Sequence, residues 1–458
     1  MAFPFDFRPR NFAVGKRRRI RYDRAMHGGK QELLRAFVAK VMAGHTLEEV
    51  EARLRPSAVP PPPALTPSVE CTPERVERFW EHLPVECRAD LLDDHTVRNL
   101  ESYRHNIENC IGTIKLPVGL AGPLRINGLN AHGDFLVPLA TSEAALVASY
   151  HRGACLVSAA GGCSAIVLYE SVSRAPAFVF HDLVEAGKFL IWLTGNIDRL
   201  GATAEATTRH GRLIDFFPTV ESNHVYLTLE FSTGDASGQN MVTLAAQAVV
   251  DQIMAECPVR PRRAYVEGNL SGDKKASAKA YTTTRGKKVA AEVRLPSALV
   301  ERYLHATPTQ MADYWRLSAV GGVLSGTMGV QGHFANGLAA IYLATGQDAA
   351  CVAESAVGVT RFEVTEDGGL YASVTLPGIM VGTVGGGTRL PSQRACLRLL
   401  GLEGEGKSRA LAEVCAALLL AGELSIIGAM AAGHFARAHR KLARDRRIPD
   451  AENGPEGD

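Results

Sequence analysis

Apolar positions first become regular at helical spacing. Leu33, Leu34, Phe37, Val38, Val41 and Met42 share one face, which predicts a helix from Lys30 that Gly44 ends. Thr46-Leu-Glu-Glu carries the start signal of a second helix, to Leu54. Pro60–Pro63 lies in a Pro/Ala/Ser/Thr stretch that reads as a stiff linker, and helical periodicity returns over Thr72–Leu100. Residues 30–105 are therefore expected to form a helical N-terminal region. Residues 1–29 are basic, aromatic and aperiodic, as expected of a basic arm or a disordered segment.

The pattern changes beyond residue 106. Gly112, Pro117, Gly119, Gly122 and Pro123 mark tight turns, and Phe135–Leu139 reads as a strand. Ala140-Thr141-Ser142 then opens a small-residue helix, expected to carry Glu143 in its first turn. Over residues 176–264, helical signals (Asp182–Trp192) alternate with strand signals (Val225–Phe231), and GDASGQNM at 234–241 feeds a helix over Val242–Glu256. That alternation predicts an α+β module set into a larger domain. A glycine-rich turn running into a helix N-terminus suits a phosphate, although no G-x-G-x-x-G fingerprint is present. Leu411–Phe435 is apolar but interrupted by Glu413 and Glu423, so it reads as a buried helix and not a membrane span.

Composition narrows the class. At 458 residues the chain has room for a large core, and 46% hydrophobic with 21% charged residues suits a globular enzyme. A net charge of +2 gives no argument for a nucleic-acid surface, and the basic clusters Lys16–Arg19 and Arg437–Arg447 read as solvated tails. Nine cysteines without CxxC pairs or histidines at metal spacing point to reduced thiols and no metal centre. Met1–Gly15 lacks the apolar run of a secretory signal. A soluble, cytoplasmic protein with no membrane partner is expected.

Taken singly, the candidate chemical residues have ordinary explanations. A first-turn Glu143 compensates a helix dipole, the tandem Lys274-Lys275 reads as solvated, Asp348 as a cap, and His434 as a packed helix residue. Gly382–Thr388 is a flexible backbone loop without reactive side chains.

Together the segments resemble one family, hydroxymethylglutaryl-CoA reductase of the class I type, in its soluble catalytic domain. The matching stretches are ENCIG (108–112), PVGLAGPL (117–124), PLATSEAALVAS (138–149), GDASGQNM, GNLSGDKK (268–275), ATGQDAA (344–350), VGTVGGGT (381–388) and AAGHFARAH around His434. They stand in the family's order over roughly residues 30–440. The resemblance implies an α+β fold: a large substrate-binding domain (106–175 and 265–440) around a long central helix, an inserted ferredoxin-like cofactor-binding domain (176–264), and the helical N-terminal region. Residues 441–458 are left as a tail.

The resemblance also implies the chemistry. Glu143, Lys274, Asp348 and His434 stand at the family's catalytic positions. Arg174, Asp273, Lys275 and Asn336 match substrate-binding positions, and Asp235, Asn240, Gly385, Gly386 and Gly387 match positions around the cofactor, NADPH, with NADH not excluded. An acyl-CoA would be reduced to an alcohol in two hydride transfers, Lys274 stabilising the developing oxyanion, Asp348 keeping it charged, Glu143 giving a proton and His434 protonating the departing thiolate. A mobile C-terminal segment would let the nicotinamide exchange between the two transfers. The family's site lies between subunits, so the resemblance implies a homodimer or a tetramer of paired dimers.

The acid-recognition set departs from the pattern. The family's serine before GN is Glu267 here, and its cationic contact ahead of the glycine-rich segment falls on Leu317 or, without a gap, on Arg316. Cys155 replaces a basic position. Hydroxymethylglutaryl-CoA is the first expectation, a different acyl-CoA the alternative, and a non-catalytic CoA-binding homologue the third.

Overall fold

The computed structural model describes residues 30–42, 44–56 and 66–433. The basic arm, the Pro60–Pro63 linker, the 441–458 tail and His434 lie outside the described residues. The chain divides into two compact units between Thr66 and Pro67. Two helices, Lys30–Val41 and Leu47–Leu54, belong to the first. The start signal at Thr46 forms a full capping box: its hydroxyl accepts from Glu49 N while the Glu49 carboxylate accepts from Thr46 N.

The second unit begins with short helices. Thr72 caps Pro73–Trp80, and Asp93 caps Asp94–Arg98 by accepting from Thr96 N at 2.8 Å. Val76, Trp80, Leu100 and Cys110 bury against one another, and Trp80 Nε1 donates to Ile111 O at 2.8 Å. The continuous helical periodicity of 72–100 thus resolves into short pieces, because Pro84 and the Asp93 cap interrupt it.

Among the described residues eleven strands follow: β1 (Val118–Gly128), β2 (His132–Ala140), β3 (Cys163–Arg174), β4 (Ala177–Val179), β5 (Arg212–Glu221), β6 (His224–Ser232), β7 (Arg263–Tyr265), β8 (Gly286–Leu295), β9 (Gly329–Val330), β10 (Gly358–Val364) and β11 (Leu370–Ile379). β3 belongs to two sheets. Its first part pairs with β1 and β8, and its last three residues, Val172–Arg174, pair with β6. The larger sheet continues from β8 through β11 and β10 to β9. The smaller runs β7-β4-β6-β5, with helices Leu183–Thr194 and Ile197–Ala206 between β4 and β5, and Gln239–Glu256 between β6 and β7. Alternation along β6 sends Val225, Leu227, Leu229 and Phe231 to the core, where Phe178 of β4 meets Phe189.

The core organises around Ser408–Ala431, a helix of 24 residues buried on nearly every side. It is the one helix among the described residues long and apolar enough to cross a membrane, yet 83% of its most apolar window is buried inside the protein. Glycines allow the close crossings around it. A Cβ on Gly153 would stand 1.8 Å from Ala421 O, and Gly422 and Gly337 make room for the Tyr150 ring. The two glutamates that interrupt its apolar run are fully buried and saturated with donors. Glu413 accepts from Asn130 N, Asn130 Nδ2 and Ala131 N at 2.7–2.8 Å, fixing the turn between β1 and β2. Glu423 accepts from Gly332 N at 2.6 Å and His333 N at 2.8 Å, and His333 Nδ1 lies 3.0 Å away. Buried carboxylates persist only with such partners.

One expected boundary changes. The helix after β2 is Leu146–Ala159, so Glu143 precedes it and does not occupy its first turn. Thr141 Oγ1 accepts from Glu143 N at 2.9 Å, and Ala145 takes a left-handed φ of 69°, so a local turn displaces the helix start.

Candidate active site

Four loops meet around one lysine. Lys274 lies in the segment joining β7 to β8, with a left-handed φ of 57°. Its Nζ reaches Asp348 Oδ2 at 2.9 Å. Asp348 follows a helix, Phe334–Thr345, that Gly346 ends in the left-handed region, and its Oδ1 accepts from Ala350 N at 3.0 Å. The Asp348 contact raises the Lys274 pKa above its ordinary value against a smaller opposing effect of burial. Burial opposes ionisation of Asp348, but hydrogen bonds from Lys274 and Ala350 N outweigh it and leave the carboxyl below its usual range. The pair is therefore an ammonium–carboxylate pair at neutral pH.

Backbone contacts fix the remaining loops to this pair. The Gln347 side-chain amide bonds both backbone groups of Gly382, accepting from its N at 2.8 Å and donating to its O at 3.0 Å. Gly346 and Gly387 lie back to back, and a Cβ on either would stand within 2.5 Å of the other's carbonyl oxygen. Gly382 in turn packs on the backbone of Asp235–Ser237. The Asp235 carboxylate accepts from Gly406 N at 2.6 Å and Ser408 N at 3.0 Å, so both its oxygens are held by the start of the central helix. Asn240 is exposed in the first turn of the Gln239–Glu256 helix. Gly385 and Gly386 have φ of 75° and 50° and open space where a side chain would be.

Behind the pair lies a buried charge cluster. Arg174, at the end of β3, donates to Asp273 Oδ2 at 2.8 Å and stands 3.5 Å from Glu267 Oε2. Arg285 bridges Asp273 Oδ1 at 2.9 Å and Glu354 Oε2 at 2.5 Å. Burial pushes the Glu354 carboxyl up in spite of that arginine. Lys275 Nζ donates to the Asp273 carbonyl at 2.9 Å.

Glu143 belongs to a second locus. Asn336 Nδ2 donates to its Oε2 at 2.7 Å, in a cavity of about 530 Å³ that also takes in Ser149, Arg152 and His333. Asn336 is in the first turn of the Phe334–Thr345 helix, whereas Asp348 lies beyond its far end. Nine residues of helix, about 14 Å along its axis at 1.5 Å per residue, run from Asn336 to its end at Thr345, and the Asp348 turn lies past that. One chain thus brings Lys274 to Asp348, and Glu143 to Asn336, but does not bring the two pairs into contact.

Several residues at these loci escaped sequence reasoning. Gln239 donates to Asp348 Oδ2 at 3.5 Å and to Cys351 Sγ at 3.1 Å. Arg285 and Glu354 complete the cluster, and Arg152, half-buried, donates to Ser425 O at 2.9 Å and to its hydroxyl, with no carboxylate partner among the described residues. A lone glutamine or arginine carries no signature in a sequence, although Gln239 sits inside the GDASGQNM stretch, the one local signal that marks it.

A family profile, hydroxymethylglutaryl-coenzyme A reductase, matches residues 75–444. The 3-hydroxy-3-methylglutaryl-coenzyme A reductase of Methanocaldococcus jannaschii is 44% identical over 348 residues, 75% of this chain and 86% of that protein. The enzyme of that name from Methanothermobacter thermautotrophicus is 40% identical over 372 residues, 81% of this chain and 93% of the relative. Among solved structures, the class II 3-hydroxy-3-methylglutaryl-CoA reductase of Streptococcus pneumoniae, bound to NADPH in open conformations, superposes with a TM-score of 0.59 at 20% identity, over 78% of this chain and 96% of that one. With the profile spanning most of the chain and relatives above 40% identity matched over most of their length, this protein belongs to the hydroxymethylglutaryl-coenzyme A reductase family.

Proposed function

We propose that the protein reduces 3-hydroxy-3-methylglutaryl-CoA to mevalonate and CoA with NADPH, at a site completed by a second copy of the chain. The observation that carries the reading is the Lys274–Asp348 pair, 2.9 Å apart at the meeting point of the four family loops. NADPH supplies the hydrides when bound. The chain's features fit such a dinucleotide: the Gln239–Glu256 helix starts at Gly238 with no side-chain cap, which leaves backbone N–H groups for a pyrophosphate, and Gly385 and Gly386 offer bare backbone beside it. Asn240 and Gly387 belong to the same rim, and Asp235 holds the turn in place. The order of strand, two helices, two strands, helix and strand and the β7-β4-β6-β5 arrangement support the ferredoxin-like reading of residues 176–264 as the cofactor-binding domain, with one helix added between β4 and β5.

The side chains then divide the work. The Lys274 ammonium stabilises the negative charge that develops on the thioester oxygen, and Asp348 keeps that ammonium charged and aimed. Glu143, oriented by Asn336, gives a proton to the aldehyde oxygen as it becomes an alcohol. His434 is assigned the thiolate by resemblance. Arg174 and Lys275 bind the acyl group's acid end, Asp273 holds the Arg174 guanidinium in place, and the Arg152 guanidinium suits an anionic group of the CoA.

The second copy follows from the separation of the two pairs. A carbonyl that needs both Lys274 and Glu143 can meet them only if another chain's Glu143–Asn336 end is brought to this chain's Lys274–Asp348 end. Ile114, Leu116, Val118 and Leu120, next to ENCIG, leave apolar surface 39–82% exposed, as a subunit contact would. A dimer or dimer of dimers in the cytoplasm is the arrangement proposed. The test is steady-state NADPH oxidation with 3-hydroxy-3-methylglutaryl-CoA and detection of mevalonate. Absence of turnover with intact, folded protein overturns the reading.

One observation favours a second reading. Glu267 shares Arg174 with Asp273, and its Oε1 is buried without a hydrogen-bond partner among the described residues. The added anion weakens the pull of Arg174 on a substrate carboxylate. Faster turnover of an acyl-CoA without that carboxylate would establish the alternative substrate.

A further inference from the structure

The smaller sheet has two faces, and helices cover only one. Phe178 of β4, opposite Val225 of β6 and Ala264 of β7, points into the helical side, where it meets Phe189. Residues to either side of Phe178 point the other way. There Ala177 stands between Tyr226 and Tyr265, and Val179 between His224 and Arg263. Two small residues on the middle strand thus form the floor of a groove with taller side chains on both walls. Neighbouring strands are about 4.8 Å apart, so the walls stand about 10 Å apart. The cavity measures about 400 Å³.

The walls differ. On the Tyr226 side the backbone of Gly268 fills the space, since a Cβ there would stand 2.7 Å from Ala177 Cβ and 2.8 Å from the Tyr226 ring. On the other side the Tyr265 ring is 51% exposed. Arg263 lies two residues from Tyr265 on the same strand, about 7 Å away, and Arg262 lines the same cleft. Among the described residues neither arginine forms an ion pair, while His224 across the groove has Glu221 3.7 Å away. An aromatic face and unpaired guanidinium groups lie side by side over an apolar floor. That combination recognises a planar base with a phosphate attached.

We infer that this groove binds an adenosine phosphate, with the base stacked on Tyr265 and the phosphate held by Arg262 and Arg263. The groove is distinct from the proposed cofactor rim. Tyr226 lies at the start of β6, while the turn from Gly234 to Asn240 leaves its other end, six residues and about 20 Å from Tyr226 to Ser232. It adjoins the strap that carries Lys274, because Gly268 follows Glu267. The ligand is a free nucleotide or the adenosine end of a CoA; the recognition chemistry is shared.

Calorimetric titration of the full chain with ADP tests the inference independently of the reductase reading. Saturable binding is expected, weakened about tenfold by Arg263→Glu and similarly by Arg262→Glu, several-fold by Tyr265→Ala, and unchanged by Lys274→Ala or by saturating NADPH. All three groove substitutions fall on exposed side chains, and unchanged circular dichroism checks the fold. Loss of the ADP signal in CoA-saturated protein identifies CoA as the source, and its persistence identifies a free nucleotide; both outcomes uphold the groove. No binding at millimolar ADP, binding indifferent to Arg262, Arg263 and Tyr265, or binding abolished by NADPH overturns it.

Discussion

Gln239 reaches two acceptors at once, Asp348 Oδ2 at 3.5 Å and Cys351 Sγ at 3.1 Å. Its own carbonyl accepts from Arg174 Nη2 at 3.4 Å. One residue of the smaller module therefore touches both the carboxylate that orients Lys274 and an arginine proposed to hold substrate. Gln239→Ala removes a donor from Asp348 and is expected to lower kcat several-fold, with the KM for NADPH changed less. Steady-state kinetics over a pH series checks it. An unchanged kcat would reduce Gln239 to packing.

The Lys274–Asp348 pair sets a pH window with a definite sign. The lysine pKa lies above its ordinary 10.5, so the pair survives until pH rises through that higher value. The carboxyl pKa lies below its ordinary 3.8, so on the acid side the pair is lost only as pH falls through that lower value. Between roughly pH 5 and 9 neither partner titrates, and any limb of the activity profile there belongs to another group. Asp348→Asn lets the lysine pKa fall, and the alkaline limb of kcat should move to lower pH. Both side chains are about two-fifths exposed, so the pair itself adds well under 1 kcal/mol to stability.

Cross-complementation tests the shared site. Glu143→Gln and Lys274→Ala are each expected to abolish turnover. Mixed after dissociation and reassociation, half the dimers become hybrids with one intact site, so about a quarter of wild-type activity should return. No recovery, with hybrid formation verified, would place both groups in one chain's site.

The glutamates of the central helix predict a stability effect. Glu413→Ala leaves Asn130 N and Ala131 N buried without their acceptor and should cost roughly 3 kcal/mol, read as a fall in Tm. Gly153→Ala forces a methyl to within 1.8 Å of Ala421 O unless the helices separate, with a cost of about 2 kcal/mol or more. Neither change should alter the KM of protein that remains folded.

Much of this fold was legible in the sequence. Capping at Thr46, the strand around Val225–Phe231, the helix to Glu256 and the burial of the Ser408–Ala431 helix follow from local pattern alone. What escaped depends on partners far along the chain. Glu143 was expected inside a helix because Thr141-Ser142 looks like a cap, but the Thr141 hydroxyl accepts from Glu143 N and delays the helix to Leu146. The Arg285–Glu354 contact spans 69 residues, and nothing near either predicts the other. The separation of Glu143 from Lys274 was equally invisible, since it follows from the length of the helix joining Asn336 to the Asp348 turn.

The position of the central helix bears on biosynthesis. Tyr150, the β1–β2 turn at Asn130 and the His333 loop all complete their surroundings only against Ser408–Ala431, which is made after all three. A nascent chain emerging N-terminus first holds a large sheet with one apolar side bare until that helix has left the ribosome. Synthesis should therefore draw heavily on chaperones, and a message truncated before codon 408 should yield aggregate and not a shorter soluble enzyme.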